Sequence, residues 1–248
     1  MPKIIVFHSF YHGVGRSNIA ANVAYVLAKQ GKSIGLIDAD TKNPVQHHLF
    51  GLDNEDIQYT FNDYLWGNCT IEQTAHRLPL DSIPGKIFLT PGNTTQGHSP
   101  REVREVKDAE LLNVGYQTLI DTFNFDALLI DTHPGVSEKA LVSVTVADVL
   151  VIILRLNQSD YQGTGITVDI VRELSVPKVF LIVNEAPSNF DFDEIKSKME
   201  NIYQCEVAAI LPHLDPIMAL ANCDIFAKRY PYHTVTDSLN KAAKLLTS

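Results

Sequence analysis

Cysteine is scarce in this chain. Only Cys69, Cys205 and Cys223 occur, far apart and in no paired motif. That spacing excludes a disulfide framework and a zinc or cluster site built on cysteine pairs. Reduced thiols in a cytoplasmic protein are the expectation. Also missing is any run of about 20 apolar residues, so no membrane span is expected. Residues 3 to 7 read as a short strand rather than a long apolar stretch, so no secretory signal peptide is expected. Positive charge is in deficit: 20 Lys and Arg against 29 Asp and Glu leave a net charge of −9. This argues against a broadly basic nucleic-acid surface, while local clusters such as Lys228-Arg229 leave the nucleic-acid question open. Internal repeats and low-complexity segments are absent too.

What is present is a chain of 248 residues with 45% hydrophobic content. That is enough for one α/β domain, residues 1–248, whose core needs no staples. Apolar strands alternate with helical patterns. Strands are expected at Ile4–His8, Ser33–Asp38, Ile87–Thr90, Ala127–Asp131, Val149–Leu154, Lys178–Asn184 and Glu206–Leu211. Helices are expected at Asn18–Gln30, Glu102–Phe123 with a break near Gly115, Thr164–Leu174, Phe192–Tyr203 and Asp237–Leu246. Ser82–Lys86 and Gly92–Pro100 read as loops, and residues 41–86 are the least regular part. Continuous apolar runs such as Val149–Leu154 suit a parallel sheet covered on both faces. The fold class is therefore α/β, a doubly wound, mainly parallel sheet with helices on both faces. A ligand site then belongs at the carboxyl ends of the strands.

Those ends carry the chemistry. The first strand runs into Ser9-Phe10-Tyr11-His12-Gly13-Val14-Gly15-Arg16-Ser17-Asn18, a glycine turn followed by a helix start. Such a loop wraps backbone N–H groups around phosphates. The second strand ends in Asp38-Ala39-Asp40, and the fourth in Asp131-Thr132-His133-Pro134-Gly135. A magnesium–nucleotide site uses this set: amides for phosphates, a hydroxyl such as Ser17 and a strand-end carboxylate for the metal, and a second carboxylate for the attacking water.

On these motifs the chain resembles the MinD/ParA family of P-loop ATPases. Val183-Asn184 is similar to the family's base-reading strand end, and Ile210-Leu211-Pro212-His213 to the loop that packs on the base. His8-Ser9-Phe10 and Tyr161-Gln162-Gly163-Thr164-Gly165 resemble a branch common in cyanobacteria. The resemblance implies the P-loop NTPase fold, ATP and Mg²⁺ as cofactors, and a homodimer with nucleotide sandwiched at its interface. It implies slow ATP hydrolysis, used to position cargo through a protein adaptor. Gly13, Val14, Gly15, Arg16, Ser17 and Asn18 would cradle phosphates. Ser17, Asp40 and Asp131 would hold the metal, Asp38 and Arg16 would serve catalysis, and Asn184 and Pro212 would contact the base.

The departures from the family loop Lys-Gly-Gly-x-Gly-Lys-Thr/Ser bear on turnover. Tyr11 stands at the signature lysine, His12 at the first glycine and Arg16 at the P-loop lysine. Arginine keeps the charge but is planar and larger. Losing one transition-state donor costs about 10²–10³ in rate. Binding is thus more secure than turnover, and a non-catalytic nucleotide-binding scaffold is the alternative function. An iron–sulfur carrier on the same fold is opposed by the missing cysteine pair. Arg155, after the strand Val149–Leu154, is a candidate replacement cation, since the related McdA branch also lacks the signature lysine; a salt bridge with Asp160 is its plainer reading. Asp38 and Asp131 have plain readings as structural strand-end carboxylates, and Asn184 as a cap of its junction. His12 and His133 either border the phosphates or pack the loop. His47-His48 reads as solvated surface, and Trp66 with Phe61 and Tyr64 as a satellite core. The Asp237–Leu246 helix reads as packed on the domain rather than as a stable membrane anchor.

Overall fold

A computed structural model describes residues 2–80, 82–92, 109–215, 220 and 223–248. These residues build an eight-stranded sheet of β1 (Lys3–His8), β2 (Ser33–Asp38), β3 (His76–Arg77), β4 (Lys86–Thr90), β5 (Ala127–Asp131), β6 (Val149–Leu154), β7 (Lys178–Ala186) and β8 (Glu206–Pro212). The strand order is β3-β4-β2-β5-β1-β6-β7-β8. All pairs are parallel except β3 with β4. The doubly wound, mainly parallel α/β fold expected from the strand–helix alternation is therefore observed.

The described helices are α1 (Arg16–Lys29), α2 (Gln46–Leu49), α3 (Phe61–Leu65), α4 (Ala109–Phe123), α5 (Glu138–Thr145), α6 (Gln158–Glu173), α7 (Phe192–Tyr203), α8 (Phe226–Arg229) and α9 (Thr234–Leu246). Strand residues alternate between two apolar layers. Ile5, Phe7, Leu36, Leu129 and Val151 face α1 and α9. Ile4, Val6, Ile37, Ile130 and Leu150 face α4 to α7. Val235, Leu239, Ala242 and Leu246 of α9 are buried in the first layer. The last helix thus packs on the domain, as expected.

Several boundaries differ from expectation. Helix α1 begins two residues early, at Arg16, because the loop leads directly into its first turn. Helix α6 begins six residues early, because the Asn157 side chain accepts the Asp160 N–H and caps it. Helix α4 runs through Gly115 without a break. That glycine is needed for close approach, since a Cβ there would lie 2.7 Å from the Tyr64 hydroxyl. Residues 102–108 and 93–100 lie outside the described residues. Lys86, read as loop, opens β4. The short β3 and α2, α3, α5 and α8 carried too little periodicity to be read. Phe61 and Tyr64 correct the expectation of a satellite core: Phe61 is buried in the second layer itself beside Tyr64 and Tyr116, and Trp66 is exposed. His47 corrects the expectation of a solvated pair: it is buried, and only His48 is exposed. Burial, and secondarily His48, push the His47 pKa down to about 4.

Candidate nucleotide site

Register places the chemistry. Asp38 of β2 pairs with Asp131 of β5, and Asp131 pairs with Phe7 of β1. Three neighbouring strand tips therefore end at one point. From β1 the chain enters the glycine loop, where Gly13 and Gly15 sit at φ +71° and +86°. Left-handed backbone of this kind strains any residue with a Cβ. At Gly15 a Cβ would also lie 2.2 Å from the Asn184 amide nitrogen. Helix α1 has no side-chain cap at Gly15. Its first-turn N–H groups are left for an anion, which the helix end favours.

Beside the loop is a cavity of about 440 Å³. Residues 13 to 18, Asp40, Asn184 and Pro212 are among those that line it. The phosphate-loop and base-contacting segments read from the sequence are thus brought to one cavity. Asn184 Nδ2 donates to the Val14 carbonyl at 2.9 Å, so it also latches the loop. Arg155 does not line the cavity. Its Nε is 3.1 Å from Asp160 Oδ2, the plainer of its two readings, and its Nη1 donates to the Gly13 carbonyl at 3.4 Å. The hydrogen bond to Asp160 raises its pKa.

At the floor, Arg16 is only 7% exposed. Its Nε donates to Asp131 Oδ1 at 2.5 Å, and its Nη2 to Asp40 Oδ2 at 3.1 Å. Burial opposes its charge, but Asp131 and Asp40 outweigh that and raise its pKa further. Asp131 Oδ2 accepts from Gln46 Nε2 at 2.8 Å. Asp40 Oδ1 accepts the Asn43 N–H at 3.2 Å and lies 3.0 Å from His133 Nδ1. Asp38 Oδ2 accepts the Val45 and Gln46 N–H groups at 2.8 and 3.0 Å. Burial, followed by the charge of Asp131, holds the Asp38 carboxyl well above the usual range.

Two residues have roles at this floor that were not read from the sequence, although His8 belongs to the His8-Ser9-Phe10 segment noted above. Gln46 is fully buried and ties Asp131 to the Ser17 carbonyl. His8 donates from Nδ1 to Thr132 Oγ1, since that hydroxyl gives its own proton to the Phe7 carbonyl. The His8 Nε2 atom has no partner among the described residues. Burial, then Arg16 and His133, push the His8 pKa down to about 3. Both residues sit in segments read as strand or loop, and only a buried polar atom betrays their part. His12 and His133 do meet, with ring centroids 5.7 Å apart.

A model of the AAA_31 family, described as AAA domain, matches residues 2–179. The chain belongs to that family. The MinD/ParA resemblance drawn from the loop and strand-end motifs holds. The tyrosine-protein kinase EpsB of Ralstonia solanacearum, a putative assignment by its name, is 36% identical over 144 residues. That match takes in 56% of this chain and 17% of the relative, so the chain spans about a sixth of it. The septum site-determining protein MinD of Pyrococcus horikoshii, solved with Mg-ADP, superposes with a TM-score of 0.80 at 18% identity, covering 99% of this chain and 96% of that one. Apo McdA of Cyanthece gives 0.81 at 16% identity, with full coverage of both. At such identities the structures establish the shared fold. No described helix is long and apolar enough to cross a membrane.

The relative solved with Mg-ADP raises the question of fit for a divalent ion. Of the expected ligand set Ser17, Asp40 and Asp131, the two carboxylates share Arg16, and Gln46 Nε2 links Asp131 to the Ser17 carbonyl. Arranged as they are, they do not fit a hydrated magnesium ion. Every carboxylate oxygen of Asp40 and Asp131 already faces a guanidinium, amide or imidazole nitrogen.

Proposed function

We propose that this chain is an ATP-binding switch of the MinD/ParA type, residues 1–248 forming one nucleotide-binding domain. The observation that carries the reading is the convergence of an uncapped helix start and two left-handed glycines on a cavity that extends to Asn184 and Pro212. Phosphates would lie on the amides of residues 13 to 18, and the base between Asn184 and Pro212. A homodimer closes over the nucleotide, separates after hydrolysis, and positions cargo in the cytoplasm through a protein adaptor, without a stable membrane anchor.

Hydrolysis in this reading is slow. Asp38 is the candidate for orienting the attacking water, yet its oxygens accept three backbone N–H groups and its carboxyl is drawn toward the protonated form. That same observation favours a second reading, a nucleotide-binding scaffold without turnover. Calorimetry with ATP beside a phosphate-release assay and light scattering separates the two. The switch reading expects ATP-dependent dimers and slow release that Asp38→Ala reduces by about 10²-fold or more. Binding with no release above background selects the scaffold, and no binding at millimolar nucleotide removes both.

A further inference from the structure

We propose that the Arg16 guanidinium takes the place of a divalent cation in this site, so that the chain binds adenine nucleotide without magnesium. This rests on the nucleotide-binding reading above. The positive group between the Asp131 and Asp40 carboxylates and the phosphate cavity is already built in. Arg16 bridges Asp131 through Nε and Asp40 through Nη2, and it lines the cavity itself. Lysine has one ammonium on a flexible stem. Arginine has a planar fork with five N–H donors, which suits a bridge between two carboxylates.

The bridge is held from behind as well. Gln46 fixes the second oxygen of Asp131, and the backbone of Asn43 fixes the second oxygen of Asp40. The carboxylates are thus aimed at the guanidinium before any ligand arrives. The donor count leaves room for a phosphate. Nε–H goes to Asp131, one Nη2 hydrogen to Asp40 and one Nη1 hydrogen makes a long 3.5 Å contact to Ser9 Oγ. Among the described residues, one hydrogen on each terminal nitrogen is left over. A phosphate at the loop amides would meet these two donors, with the carboxylate charge behind them already compensated. A magnesium ion would have to evict a buried guanidinium from both of its partners.

The test is a pair of ATP titrations of the full chain by calorimetry, one in excess EDTA and one in millimolar MgCl₂. The proposal expects dissociation constants within about twofold of each other. It expects Arg16→Lys, whose ammonium cannot bridge both carboxylates, to bind about tenfold or more weakly in EDTA than in magnesium. Tenfold weaker binding of the unsubstituted chain in EDTA overturns the proposal while leaving the nucleotide-binding reading intact. Absence of binding in both buffers overturns that reading, and this inference with it. The two titrations of the unsubstituted chain decide the matter even if Arg16→Lys fails to fold, which a circular dichroism melt reports.

Discussion

Replacing Arg16 by Met strands two carboxylates. Asp131 is fully buried and Asp40 is 3% exposed, and each loses its guanidinium partner. Removing one partner of a buried ion pair costs about 3–5 kcal/mol, because the remaining charge is left uncompensated in a poorly polarisable interior. A domain's whole stability is about 5–15 kcal/mol, so Arg16→Met should be marginally folded. The cost should lie in the stranded charges and not in lost contacts, because Met replaces much of the aliphatic stem. Adding Asp131→Asn then removes one of the two charges, and the double variant should recover about 2 kcal/mol of the loss. Urea unfolding of the four proteins of the cycle at pH 7.5, followed by circular dichroism, measures this coupling. A loss below about 1 kcal/mol for Arg16→Met, or strictly additive variants, would refute the picture of a guanidinium compensating two buried acids.

Two further outcomes follow from the same floor. Gly15→Ala should lose about 1–2 kcal/mol to left-handed backbone, and about 1 kcal/mol more because its Cβ displaces Asn184 from the Val14 carbonyl. Coupling with Asn184→Ala in urea melts checks the second part, and an indifferent Gly15→Ala would contradict the geometry. His8 has a folded pKa of about 3, below its unfolded value, so the unfolded chain takes up the proton first. Its contribution is present above pH 6.5 and is lost as pH falls toward 3, by at most about 5 kcal/mol. Urea midpoints between pH 7 and 4 should fall less steeply for His8→Gln than for the unsubstituted chain, and parallel slopes would show that His8 is not the group responsible.

Much of the architecture was legible because it depends on local pattern. The runs Ala127–Asp131 and Val149–Leu154 coincide with β5 and β6, since a strand buried on both faces must be apolar throughout. The loop read as a phosphate cradle because glycine spacing before a helix is itself a local signal. Short elements were harder. Helices α2, α3 and α8 span barely one turn, and β3 two residues, too few for a period to show. Gln46, and the buried role of His8, escaped notice because a polar residue acquires its meaning from what surrounds it, and their partners Asp131 and Thr132 lie 85 and 124 residues away.

The order of residues by itself determined that the chain makes a parallel α/β sheet, that a glycine turn follows the first strand, and that aspartates stand at the tips of two others. Only the tertiary structure decided where the cation at position 16 points. Parallel register sets Asp38 beside Asp131, and the turn after β2 brings Asp40 over both. In that pocket a buried guanidinium lowers its energy by facing carboxylates, because an interior charge must be neutralised at short range. No one-dimensional spacing contains that requirement, since it arises from strands that are adjacent in the sheet and remote along the chain.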